Sequence, residues 1–209
     1  MLRKLIRSTK IVVVPGVFSP AVALLAEKAR FKSIYFSGAG FSNLLGLPDL
    51  GITTLSEVTG AVEQITSVVD LPLIVDVDTG FGEALNVART VSEMERAGAA
   101  AIQIEDQVMP KRCGHLSGKE LVDPSEMMNK IIAARRARKS DLIIIARTDA
   151  AAVEGLDRAI ERAKLYLKAG ADVIFPEALQ TRKDFATFSQ NVKAPLLANM
   201  TEFGRTPYI

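Results

Sequence analysis

Cysteine and histidine each occur only once in this chain, two residues apart. A single cysteine excludes an internal disulfide and fits a reducing compartment. No sign of charge is in excess: the net charge of +2 leaves no global electrostatic case for nucleic acid or an anionic membrane. Long apolar runs are also missing. None approaches the roughly 20 apolar residues needed to cross a bilayer. The run Ile11 to Val14, behind the basic start Met1 to Lys10, is too short for a signal-peptide core and reads as a first strand. No low-complexity linker interrupts the chain. The basic run Arg135-Arg136-Ala137-Arg138-Lys139 closes a predicted helix, where cations suit the helix dipole and solvent. What remains is 209 residues, 48% apolar and 24% charged, a globular balance. The expectation is a single domain over residues 1–209, cytoplasmic, with neither nucleic acid nor a membrane as partner.

Seven apolar runs recur, each suited to a buried parallel strand: Ile11–Val14, Ser33–Phe36, Leu73–Val77, Ala100–Ile104, Leu142–Ala146, Asp172–Phe175 and Pro195–Ala198. Helical patterns lie between most of them, over Ala21–Ala29, Thr54–Val69, Ala84–Ala97, Pro124–Lys139 and Leu156–Ala169. Asp123 is placed as an N-cap and Gly170 as a C-cap. Arg96-Ala97-Gly98-Ala99-Ala100 and Lys168-Ala169-Gly170-Ala171-Asp172 look like the same helix-to-strand step repeated. Polar residues gather where strands end: Ser37-Gly38, Asp76 and Asp78, Glu105-Asp106, Arg147-Asp149, Glu177 and Asn199. Chemistry in a β/α barrel sits at those ends, whereas a doubly wound open sheet would place it at one switch point. The pattern predicts a TIM-type β/α barrel.

Two segments carry chemistry on their own. In Lys111-Arg112-Cys113-Gly114-His115, neighbouring cations would lower a thiol's pKa and make Cys113 a usable acid. The plainer alternative is a small buried hydrophobe, though charges and glycine make a poor core segment. In Asp76-Val77-Asp78, side chains two apart on a strand point the same way, so both carboxylates face one cavity. Such a pair suits Mg²⁺, which needs only one or two carboxylates; solvated loop carboxylates are the alternative. Glu105, ending the next predicted strand, adds a third acid.

Lys-Arg-Cys-Gly-His resembles the signature of the isocitrate lyase and phosphoenolpyruvate mutase superfamily, and further segments match in family order. These are Tyr35-Phe36-Ser37-Gly38-Ala39-Gly40, Gly46-Leu47-Pro48-Asp49-Leu50-Gly51, Asp76-Val77-Asp78-Thr79-Gly80-Phe81-Gly82, Ala146-Arg147-Thr148-Asp149-Ala150, Phe175-Pro176-Glu177 and Ala198-Asn199-Met200-Thr201-Glu202-Phe203-Gly204. They span nearly the whole chain and are most similar to the short 2-methylisocitrate lyases. The resemblance implies a Mg²⁺-dependent lyase (Mn²⁺ in its place) splitting a 2-hydroxy tricarboxylate into a 2-oxo acid and succinate, in propionate catabolism, as a homo-oligomer when full-length. It further implies metal at Asp76, Asp78 and Glu105, with Cys113 protonating the succinate carbanion, helped by Lys111 and His115. Tyr35 would handle the alcohol proton. Substrate would be held by Ser37, Gly38, Ala39, Asp49, Gly114, Arg147, Glu177, Asn199, Met200 and Thr201. For Arg147 the bland alternative is an ion pair with Asp149.

Two departures matter. Gln103 stands where many of these relatives carry a histidine; glutamine hydrogen-bonds but does not titrate. The chain also stops at Ile209, so the expected barrel is incomplete: seven strands, without the family's eighth strand and terminal helices. A phosphonomutase, an oxaloacetate decarboxylase and a non-catalytic remnant are the other readings.

Overall fold

The structure is a computed structural model and describes residues 1–8, 10–114, 116–200 and 206. Six parallel strands pair in chain order: β1 (Gly16–Val17), β2 (Ile34–Phe36), β3 (Leu73–Asp76), β4 (Ala101–Glu105), β5 (Ile143–Thr148) and β6 (Val173–Pro176). The helices are α1 (Leu2–Ile6), α2 (Pro20–Lys28), α3 (Gly38–Leu44), α4 (Leu55–Thr66), α5 (Ala84–Arg96), α6 (Pro124–Ala137), α7 (Ala150–Val153), α8 (Leu156–Ala169) and α9 (Arg182–Asn191). This is the predicted β/α order, and among the described residues the sheet does not close. No described helix is long and apolar enough to cross a membrane.

Two predicted strands fall short. Ile11–Val14 is not a strand: Ile11 and Val13 are exposed, and pairing begins at Gly16. Pro15 has no N–H to give a ladder, and only its carbonyl is used, accepting from Tyr35 N–H at 3.0 Å. Pro195–Ala198 contributes one bridge, Leu196 to Ile174, instead of a seventh strand. Pro195 again offers only its carbonyl, to Ile174 N–H at 3.1 Å.

The strands bury both faces in alternation. On β4, Ile102 and Ile104 join the outer core against the helices, whereas Ala101 joins an inner cluster with Ile74, Ile143, Ile145, Val173 and Phe175. That inner cluster is the lower barrel interior. Its base is plugged by α1 through Leu2, Leu5 and Ile6, a helix too short for the sequence pattern to reveal. Arg3 of α1 is tied to Asp172 at 3.0 Å. Thr54 and Glu57 form a capping box on α4, and Thr181 and Asp184 one on α9, each cap contributing about 1 kcal/mol.

Candidate active site

Side-chain parity builds the site. Tyr35 packs against the inner cluster, and Asp76, Gln103, Glu105, Arg147 and Glu177 lie two residues, or four for Glu105, beyond its members Ile74, Ala101, Ile145 and Phe175. They therefore point inward, above an apolar floor, at the C-terminal ends of the strands. All six were legible as polar strand ends or family positions, and the structure brings them together.

Burial decides their protonation. Asp76 is pushed up to about 6, by burial first and then by Asp78 beside it. Burial also raises Glu105 well above the usual carboxylate range. Tyr35 is raised well above an ordinary phenol by burial and by Asp76, and its hydroxyl donates to Gln103 Oε1 at 2.6 Å. Arg147 stays charged although burial opposes it, because Asp149, Glu105 and Glu177 surround it. Asp149 accepts from Arg147 Nε at 3.0 Å and Nη2 at 3.1 Å. Nη1 lies 3.3 Å from both Glu105 Oε2 and Glu177 Oε2. The bland expectation for Arg147, pairing with Asp149, thus holds for one edge of the guanidinium, while the other faces the pocket.

The Lys111 ammonium is paired with Asp49 and lies 2.8 Å from Asp78 Oδ1, so it neutralises carboxylates of the site. Burial disfavours its charge, but Asp78, Asp76 and Glu105 outweigh that and keep it protonated. Arg112 is exposed and lies along Gly118, away from the pocket. His115 and Thr201 lie outside the described residues. Cys113 is half-buried on the loop between β4 and α6. Gln107 clamps that loop, accepting from Arg112 N–H and donating to Arg112 O, each at 2.9 Å. Gly114 comes so close to the strand ends that a Cβ would collide with Arg147 Nη2 and Glu177 Cγ.

Ser37 caps α3, accepting from Gly40 N–H at 3.0 Å. A Cβ on Gly38 would stand 3.1 Å from Asp76 Oδ2, so the Ser37–Ala39 turn lies against the carboxylate pair. Asn199 Nδ2 donates to Glu177 Oε2 at 3.4 Å, and Met200 follows it half-buried. Three of the four described non-glycine residues with positive φ, Asp78, Phe81 and Ala178, lie just past strand ends at this site, where strained backbone tends to collect.

Two residues received no site role from the sequence, although Asp106 was among the polar strand ends. Lys119 is buried, donates to Gly114 O and sits 2.8 Å from Asp149 Oδ1, joining the loop to β5. Asp106 accepts from Tyr166 Oη at 2.7 Å, Thr148 Oγ1 at 2.8 Å and Asp149 N–H at 3.0 Å. It thereby fixes the residue that grips Arg147. Their sequence signal, a lysine among exposed loop residues and a second acid after Glu105, was ordinary.

The carboxylates of Asp49, Asp76, Asp78, Glu105, Asp149 and Glu177 outnumber the cations Lys111, Lys119 and Arg147 by six to three. Glu105 Oε1 is buried without a hydrogen-bond partner, and Asp78 Oδ1 is buried with only the Lys111 ammonium beside it. No three acids, cysteines or histidines among the described residues form a ligand cage of their own. The set suits an ion that takes few protein ligands and keeps other positions for water or substrate. A cleft at the opposite end of the strands, beside Met1, Leu2 and Arg96, contains none of these residues.

Comparison with known proteins agrees with this geometry. The family described as phosphoenolpyruvate phosphomutase matches residues 2–208. The chain is 63% identical over 209 residues to the 2-methylisocitrate lyase of Aeropyrum pernix, covering 100% of this chain and 68% of that one. The crystal structure of 2,3-dimethylmalate lyase superposes with a TM-score of 0.95 at 40% identity, covering 100% of this chain and 71% of that one. That of phosphonopyruvate hydrolase with oxalate and Mg²⁺ gives 0.85 at 36% identity, covering 94% and 70%.

Proposed function

The chain belongs to the phosphoenolpyruvate phosphomutase family, and on that premise we propose that it is a carbon–carbon lyase cleaving 2-methylisocitrate to pyruvate and succinate. The observation that carries the reading is the common inward parity of Tyr35, Asp76, Glu105, Arg147 and Glu177 over an apolar floor. The substrate follows from the likeness to 2-methylisocitrate lyases.

Mg²⁺, or Mn²⁺ in its place, fits Asp76 and Asp78, with Glu105 beside them, because buried carboxylates here outnumber the cations and Glu105 Oε1 has no hydrogen-bond partner. Bound there, the ion would polarise the substrate's C2 oxygen and stabilise charge developing on it. Ser37, Gly38 and Ala39 orient the adjacent carboxylate with a hydroxyl and backbone N–H groups. Tyr35 donates its own proton to Gln103 Oε1 and turns its oxygen lone pairs to the alcohol hydroxyl, which it positions. The alcohol proton passes to Glu105 Oε1, a buried acceptor without a protein hydrogen-bond partner. The C2–C3 bond then breaks: C2 becomes the ketone carbon of pyruvate, and the electron pair moves to C3 beside a carboxylate of nascent succinate. Cys113 Sγ–H delivers its proton to C3 as a general acid. Arg147 presents Nη1 to the developing negative charge, while Glu177, Asn199 and Met200 hold the succinyl half. Asp49 keeps Lys111 in place.

Incubation with Mg²⁺ and 2-methylisocitrate should release pyruvate and succinate in equal amounts. Isocitrate, which lacks the methyl group, should give glyoxylate less efficiently, since one methyl group is worth only about 1–3 kcal/mol of discrimination. Intact 2-methylisocitrate after prolonged incubation would contradict the proposal.

A further inference from the structure

The floor of the pocket holds a polar group that the proposed reaction leaves without a task. Gln103 is fully buried, its Oε1 is occupied by the Tyr35 hydroxyl, and its Nε2 has no hydrogen-bond partner. Buried donors are nearly always satisfied, so an orphan at a pocket marks a place where something else completes the bond. Position says what. Gln103 is the register partner of Asp76 on the neighbouring parallel strand, so the two side chains leave the sheet side by side in the same direction. The Tyr35 hydroxyl donates to the carbonyl end of the amide, which faces β2, and the NH₂ end is left without a protein partner.

We propose that Gln103 is a substrate-binding and positioning residue: Nε2–H donates to an oxygen of the 2-oxo acid half of the ligand held beside Asp76, while Oε1 fixes the Tyr35 hydroxyl. The inference rests on the lyase reading, in which that half becomes pyruvate. An amide does not titrate, so this donor keeps one charge state across the working pH range. Its two ends act as a unit, because the same planar amide holds the Tyr35 hydroxyl at Oε1 and presents Nε2–H to the ligand.

The test is calorimetric titration with oxalate, a planar mimic of an oxo-acid enolate, in the presence of Mg²⁺. Gln103→Met, similar in size but without donor or acceptor, should bind oxalate about 10- to 100-fold more weakly than the parent, the loss expected for a hydrogen bond to a charged oxygen. Binding of Mg²⁺ alone and the unfolding temperature should stay near parent values. Gln103→Asn, which withdraws the amide by one methylene, should lose affinity in the same direction. Tyr35→Phe should weaken binding too, and the double variant should lose less than the product of the single losses. Parent-like oxalate binding by Gln103→Met would overturn the inference, since the donor is then satisfied by water. So would losses that multiply, an equal loss of Mg²⁺ affinity, or a parent that binds no oxalate. A parent that binds oxalate but leaves 2-methylisocitrate intact would instead overturn the lyase reading alone.

Discussion

Cys113 is half-buried on the loop after β4, one residue before a glycine packed on Arg147 and Glu177. As the acid of the proposed reaction it carries a clear expectation: Cys113→Ser should lower kcat about 10²- to 10⁴-fold while leaving thermal stability near parent, read by steady-state kinetics and calorimetry. Gly114→Ala tests the same approach sterically. The added methyl group must displace Arg147 or Glu177, an overpacking cost of about 1–3 kcal/mol that should appear as a roughly 10- to 100-fold fall in kcat/KM. Asp76→Ala and Asp78→Ala should each abolish measurable Mg²⁺ binding in calorimetry, because either change leaves one carboxylate of the pair. At this scale the sequence was most informative, since strand parity is a period of two and polar residues ending apolar runs must share a face. What it could not supply is the partner of each charge. Lys111 adjoins Cys113 in sequence, yet it serves Asp49 and Asp78.

The loop after β4 illustrates the element scale. Lys119 joins Gly114 O to Asp149, just past β5, in a fully buried contact. Lys119→Met should therefore free the loop and leave Asp149 paired only with Arg147. Removing one partner of a buried ion pair costs about 3–5 kcal/mol, so the unfolding temperature should fall and proteases should cut residues 112–118 faster than in the parent. Unchanged cleavage would show that the loop is held otherwise. Elements with long periodic patterns, such as α5 and α8, were predictable from spacing alone. The pattern does not reveal the short helices α1, α3 and α7, nor the longer α9, and both prolines at the sheet's margins shorten predicted strands. Their formation depends on tertiary contacts that a local pattern does not encode, such as the seat of Leu2, Leu5 and Ile6 under the barrel.

For the whole molecule, two ends of one barrel have different tasks. The lower end is closed by α1, whose Arg3 meets Asp172, itself paired with Arg138 at 2.7 Å. Burial raises the Asp172 pKa, but hydrogen bonds from Arg3 and the Ile144 amide, and the charge of Arg138, outweigh it and hold it below the usual value. A depressed carboxylate contributes stability above its unfolded pKa, near 3.9, and loses it as pH falls through the folded value. The unfolding temperature should drop on acidification below about pH 4, and less steeply in Asp172→Asn. The upper end is where the proposed chemistry takes place, with an excess of buried acids that a divalent ion would offset. Its central claim is that the bond between C2 and C3 of 2-methylisocitrate breaks there and that C3 receives a proton from an exchangeable group, the Cys113 thiol. Turnover with Mg²⁺ in D₂O, followed by mass spectrometry, measures this directly. The account predicts pyruvate with no deuterium gained in cleavage and succinate carrying one carbon-bound deuterium. Succinate without deuterium, or no cleavage at all, would contradict it.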